Sequence, residues 1–380
     1  MKNYFLAIAI LMGTIIGVGI FALPYIVSKS GIILLFIYMP LLATIQYYLH
    51  LHFAEIVLST KGDHRLPGYV EKYFGLPGKR LTLIISLLSD YGVIITYIII
   101  GGLFAHQLFF PIFGGSNLFY TIIVFLVESF IVLYGLKIIS GAEFAMTATL
   151  VAIMGVIIGK GLQLVDMNNF TAINWQNIFL PYGPVFFAVG GQAAIPEMCK
   201  LLAETPKKIK SAIAWGTYLS AALMLIFVFV VTGVTGANTT PDALAGLGNI
   251  FGSGIIRLAL IFGLLVVATS MITITQASRE ILWWDFGINK NIAWALTCFL
   301  PLWLYLAGIQ NLTKTVSLTG AVSGGILGIV IIFLLLEIKK RCDLESVIKN
   351  VINRPIAYTL ALFFILGFIY EIWNVFFNKI

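Results

Sequence analysis

A chain of 380 residues that is 60% hydrophobic, is charged at only 10% of its positions and has a mean hydropathy of +1.02 cannot fold as a water-soluble globule. No single core of that length could hide so much apolar surface. The net charge of +7 does not call for nucleic acid, because the basic residues are spread through short breaks between apolar runs and form no patch. What remains is a chain whose solvent is the lipid bilayer.

Crossing the hydrocarbon takes about 20 mostly apolar residues per helix. In chain order such runs cover 4–27, 31–58, 80–110, 118–137, 142–163, 178–201, 211–235, 253–280, 291–309, 313–337 and 354–376, about eleven spans. The first is too long for a cleaved leader, lacks a small-x-small exit and continues through Pro24, so it reads as span 1. Its centre, Gly13-Thr-Ile-Ile-Gly17-Val-Gly19-Ile-Phe-Ala-Leu-Pro24, gathers residues that weaken a helix. Span 2 closes on His50, His52 and Glu55; a His-x-His pair points to different helix faces, so these read as interfacial residues and no metal set. Span 3 carries Asp90, Tyr91, Tyr97 and an isolated His106, and span 4 carries Glu128. Charges at membrane depth mark ion pathways or buried, hydrogen-bonded acids, and both readings stay open for Asp90 and Glu128. Lys160 falls near the end of span 5, where it would snorkel.

Span 6 repeats the theme of span 1, with Pro181, Gly183, Pro184, Gly190, Gly191 and Pro196 around one apolar run. Glu197 follows, placed for a gate contact or for capping a broken helix. Small residues can serve close helix packing alone, as Gly13 and Gly17 would. Matching interruptions five spans apart instead point to an inverted five-plus-five repeat, each half giving an unwound segment near mid-membrane. The chain then reads as a single transmembrane transporter domain over 1–380, with repeat one at 4–163, repeat two at 178–337 and an extra helix at 354–376. Cys199, Cys298 and Cys342 show no paired spacing, which implies neither disulfide nor metal.

Lysine and arginine set the orientation. With the N-terminus cytoplasmic, the opposite side receives only Lys29, Lys160, Arg257, Lys314 and Lys379 of the 23 basic residues. Eleven spans put the C-terminus outside. The expected location is the cell's plasma membrane.

The span 1 string resembles the signature of the amino acid–polyamine–organocation superfamily. His64-Arg-Leu-Pro-Gly-Tyr-Val-Glu-Lys-Tyr-Phe-Gly75 and Ala194-Ile-Pro-Glu197 resemble its aromatic amino acid (tryptophan/tyrosine) permease branch, related to the amino acid/auxin permeases. The resemblance implies an all-α, LeuT-type 5+5 inverted repeat. It also implies an ion-coupled permease for amino acids, neutral hydrophobic or aromatic, working by alternating access with spans 1, 2, 6 and 7 rocking against 3, 4, 8 and 9. Span 11 would lie outside the repeat. By alignment to the motif, amides at Gly17, Val18 and Gly19 would hold the substrate carboxylate, and carbonyls of Thr14, Ile15, Phe187, Ala188 and Gly190 its ammonium. The Phe187 ring would close over the substrate, with Tyr91 and Tyr97 on a span that lines the site. Val266, Thr269 and Ser270 recreate an i, i+3, i+4 sodium pattern of relatives, completed by the carbonyls of Gly13 and Ile16. Sodium and proton both remain as coupling ion. No other cofactor is implied; the partners are an amino acid and the lipid bilayer, not nucleic acid.

Other membrane functions fit less well. A channel would need a filter or pore-lining ring, an enzyme a catalytic constellation, and a pump a phosphate-binding loop, and the sequence offers none of these.

Overall fold

The computed structural model describes residues 2–60, 62, 64–134, 143–341 and 353–377, and among them every regular element is helical. Helices α1 (Lys2–Ile15) and α2 (Gly19–Ser30) meet at 49° across the stretch 16–18. Two β-branched residues, Ile15 and Ile16, lead into Gly17, a poor place to continue a helix. There the Gly17 N–H turns back to the Ile15 carbonyl at 2.8 Å and abandons the Gly13 carbonyl four residues behind.

Next come α3 (Ile32–Ser59), α4 (Leu66–Phe113), α5 (Asn117–Tyr134) and α6 (Glu143–Gly161). Inside α4, Gly75 takes φ +67°, a left-handed value, so a short leading helix over 66–74 precedes the long apolar one. The second break separates α7 (Tyr182–Ala188) from α8 (Ile195–Leu201), which starts with Pro196 in its first turn. Then follow α9 (Ile209–Thr235), α10 (Leu244–Phe251), α11 (Ser253–Glu280) and α12 (Lys290–Leu306). Finally α13 (Leu312–Gly320) and α14 (Leu327–Arg341) form one span through a π-turn at Ala321–Ile326, and α15 (Arg354–Phe377) closes the chain.

Seven of the described helices are long and apolar enough to cross a bilayer, and the bent α1–α2 pair is an eighth crossing. The remaining expected spans, 118–137, 178–201 and 291–309, are held by α5, the α7–α8 pair and α12. Residues 135–137 and 142, where spans 4 and 5 were expected to end and begin, lie outside the described residues, as does Cys342. Two features depart from expectation. A short helix over 66–74 stands ahead of the third span, and α10 stands where a loop was expected.

Packing sorts the helices into two sets. In one, α1, α3 and α8 pack together with α9, and α2 joins through α7 and α9. In the other, α4 packs on α5, α11 and α12, which also touch one another. Helix α6 contacts α1, α9 and α11, and α13 contacts both α7 and α4, so these elements bridge the sets. Large apolar side chains such as Phe36, Phe130, Trp303, Leu362 and Trp373 point outward, as suits a lipid-facing surface.

Candidate functional site

The two breaks meet face to face. A Cβ built on Gly19 would lie 2.8 Å from Ala188 Cα and 3.0 Å from Phe187 Cδ1, so the backbone of α2 rests directly on the end of α7. Beside this contact opens a cavity of about 130 Å³ lined by 13–19 of the first break and by Phe187 and 190–193 of the second.

Each break leaves unpaired peptide groups. The start of α2 has Val18 as its N-cap, whose side chain cannot cap, so the first N–H groups are left to a ligand. At the other wall, the end of α7 presents the Phe187 carbonyl, which accepts turn N–H groups from Val189 and Gly190; the Ile15 carbonyl at the end of α1 accepts the Gly17 N–H and keeps a second lone pair. Donors and acceptors for a zwitterion thus converge on neutral peptide groups.

Helix α4 supplies Asp90, Val93 and Tyr97, all on the cavity wall. The Tyr97 hydroxyl lies 3.1 Å from the position of a Gly17 Cβ and is hydrogen-bonded to Ser270 of α11. Ser278 Oγ donates to Asp90 Oδ2 at 2.6 Å. Helix α6 adds Thr147, whose Oγ1 would be 2.7 Å from a Gly13 Cβ and donates to the Ala9 carbonyl at 3.5 Å.

Thr14, Ile15, Gly17, Val18, Gly19, Phe187 and Gly190 all line this cavity, and so do Gly13, Ile16, Val266 and Ser270. The Thr269 side chain lies outside the described residues. Two expected contacts are placed elsewhere. Tyr91 is off the wall and its hydroxyl donates to the Leu296 carbonyl of α12 at 3.3 Å; the tyrosine on the wall is Tyr97. Ala188 packs against Gly19 behind the wall. Thr147 and Gln192, also on the wall, went unselected in the sequence, where only their position on span 5 and after the span 6 glycines could have marked them.

Among the other charged and polar candidates, Glu128 is buried and neither carboxylate oxygen has a hydrogen-bond partner among the described residues. His50, His52 and Glu55 are buried, not interfacial; helix α9 covers this end of α3, and His50 Nδ1 lies 3.1 Å from Thr217 Oγ1. Lys160 is exposed. At the end of the bundle where α1 begins, Arg65 gives Nε and Nη2 hydrogen bonds to Glu280 Oε2 at 2.9 and 2.6 Å. The same guanidinium reaches Glu197 Oε1 at 3.3 Å and the Ala193 carbonyl at 3.4 Å.

A family model described as the tryptophan/tyrosine permease family matches residues 1–373. A tyrosine-specific transport system from Haemophilus influenzae is 25% identical over 309 residues, 76% of each chain. Among solved structures, MhsT in complex with L-phenylalanine superposes with a TM-score of 0.74 at 15% identity, covering 98% of both chains. Mhp1, a nucleobase-cation-symport-1 family transporter with bound bromovinylhydantoin, gives 0.67 at 15% identity over 98% of this chain and 90% of that one. Both share the LeuT fold, the five-plus-five inverted repeat with its two interrupted spans.

Proposed function

The chain belongs to the tryptophan/tyrosine permease family, and from that premise we propose that it carries a neutral aromatic amino acid across the plasma membrane. It is a multi-pass, ion-coupled amino acid transporter and not an enzyme. The observation that carries the substrate reading is the meeting of two helix breaks in one cavity, with the Phe187 ring and the Tyr97 hydroxyl on its wall. The amides opening α2 and the Tyr97 hydroxyl take the carboxylate, the carbonyls of Thr14, Ile15, Phe187 and Gly190 take the ammonium, and Phe187 packs on the substrate ring. A tyrosine transporter among its relatives and a phenylalanine-bound structural neighbour support the aromatic class.

Oxygens of α1 and α11 that share the cavity wall support a sodium site. The break releases the Gly13 carbonyl, Ile16 and Val266 present theirs nearby, and Ser270 brings a hydroxyl. A hard cation takes such neutral oxygens, and Thr147 would add a hydroxyl. A sodium held there would supply positive charge between α1 and α11. The competing reading is a proton, favoured by Glu128, a buried carboxyl with no hydrogen-bond partner among the described residues, one helix behind Tyr97. Uptake into vesicles under sodium and pH gradients imposed separately decides: Ser270→Ala blunts a sodium-driven uptake, and Glu128→Gln abolishes a proton-driven one. Failure of any aromatic amino acid to compete for uptake would overturn the substrate reading.

The basic residues place the N-terminus in the cytoplasm and the C-terminus outside, so the Arg65 end is the cytoplasmic one. Arg65 then joins Glu280 of the α4–α5–α11–α12 set to Glu197 of the other, and alternating access is the rocking of the two sets about the cavity.

A further inference from the structure

We infer that a chamber beneath Arg65, separate from the substrate cavity, is a second binding site for a zwitterionic amino acid, and that its occupant holds the Arg65 end of the bundle closed. The choice of ligand rests on the amino acid reading above.

The chamber measures about 440 Å³, inside the range of about 300–1,000 Å³ that small-molecule sites occupy. Its walls come from both helix sets. Leu58 at the end of α3, with Pro196 and Cys199 of α8, forms one side. Tyr69 of the short helix over 66–74 and Trp284, in the π-turn that ends α11, form the other. That second side is tied together by Asp285, whose Oδ2 accepts the Gly68 N–H at 3.2 Å and whose Oδ1 lies 3.4 Å from His64 Nδ1.

Charges of both signs line the same space. Glu197 and Lys200 stand at i and i+3 on α8, so their carboxylate and ammonium share one helix face. Arg65 engages only Oε1 of Glu197, at 3.3 Å, and the Glu197 side chain is 48% exposed, which leaves Oε2 to a ligand ammonium. Arg65 and Lys200 bring the positive charge that a ligand carboxylate needs. Tyr69, Trp284 and Pro196 offer aromatic and apolar surface to its side chain. A simple anion would meet Glu197 here, and a simple cation would meet Arg65 and Lys200. Position supplies the ligand as well. Arg65 Nη1 donates to the Ala193 carbonyl at 3.4 Å, and Ala193 lines the substrate cavity, so an amino acid leaving through this end enters the chamber.

Because both sets build the chamber, rocking them apart dismantles it. A ligand that binds only the closed arrangement shifts the equilibrium toward that arrangement. Released amino acid therefore slows the reopening of the end through which it left.

The test uses the purified full chain, with Cys199 alkylation read by site-resolved mass spectrometry and equilibrium binding of radiolabelled tyrosine in parallel. Cys199 is 3% exposed and lines the chamber, so it reacts only when the chamber is open and empty. Tyrosine at about ten times its chamber dissociation constant is expected to slow wild-type alkylation about tenfold. Tyramine and 3-(4-hydroxyphenyl)propionate, each lacking one of the two charges, should leave the rate unchanged. In Gly19→Ala, which weakens the substrate cavity, protection of Cys199 keeps its wild-type midpoint. Trp284→Ala and Glu197→Gln lose the protection, and tyrosine binding falls from two molecules per chain to one; the retained molecule shows that the variants fold. A wild type that binds one tyrosine and leaves Cys199 unprotected overturns the site. So does a protection midpoint that moves with cavity affinity in Gly19→Ala, because closure is then driven from the cavity alone. If tyrosine neither binds nor protects, the amino acid reading fails first and the chamber site with it.

Discussion

The sharpest constraint at single residues lies at Gly19. Its added Cβ would strike Ala188 Cα and the Phe187 ring, and the first of these is backbone that cannot step aside. At Gly17 the obstacle is the Tyr97 hydroxyl at 3.1 Å, the far end of a side chain that can yield. Gly19→Ala should therefore force the two breaks apart and weaken substrate binding by more than about tenfold, or 1.4 kcal/mol, whereas Gly17→Ala should cost only a few-fold. Radiolabelled amino acid binding to purified protein measures both, with thermal melting as the check on folding. Equal losses in the two variants would mean that the breaks are not held in contact at Gly19.

At the scale of elements, α15 turns out to be more than an appendage to the repeat. Buried Glu371 accepts from the Gly183 N–H of α7 at 2.9 Å, and Lys314 of α13 donates to the Val375 carbonyl at 2.8 Å. Glu371→Leu leaves the Gly183 N–H buried without a partner and should destabilise the protein by about 1–3 kcal/mol, lowering the melting temperature by several degrees. Glu371→Gln keeps the acceptor and should stay near wild type. If the leucine variant melts with the wild type, α15 does not anchor α7. The breaks themselves were legible beforehand, because glycine and proline act on the local backbone and leave their mark in the chain whatever packs around them. Facing was not legible. Tyr91 and Tyr97 are six residues apart, about 240° around a helix at 3.6 residues per turn, and only the position of α12 shows that Tyr91 turns away from the cavity. The same limit hid the burial of His50, which polar residues at a helix end do not announce and which depends on α9. Helix α10 escaped notice because Gly246 and Gly248 lower the helix propensity of a stretch only eight residues long.

For the whole molecule, the question is what holds the Arg65 end of the bundle shut. Arg65 sits in a loop between α3 and α4 and makes a fork to Glu280 while also touching Glu197 and Ala193. Its side chain is 11% exposed and that of Glu280 10%, so the pair is shielded enough for its loss to matter. Ala193 also lines the cavity, which makes this cluster the floor of the site. Removing one partner of a shielded ion pair costs on the order of 3 kcal/mol, enough to move a closed-to-open equilibrium by about a hundredfold. Opening would expose Cys199, which is 3% exposed and lines a second chamber beneath Arg65. Arg65→Ala is expected to raise the rate of Cys199 alkylation and to collapse concentrative uptake, while amino acid binding at the cavity persists. Arg65→Lys, which keeps the charge but loses the two-pronged geometry, should fall between. Site-resolved mass spectrometry of the alkylated protein reads the outcome. An unchanged Cys199 rate together with normal uptake in Arg65→Ala would show that the two helix sets are held together elsewhere.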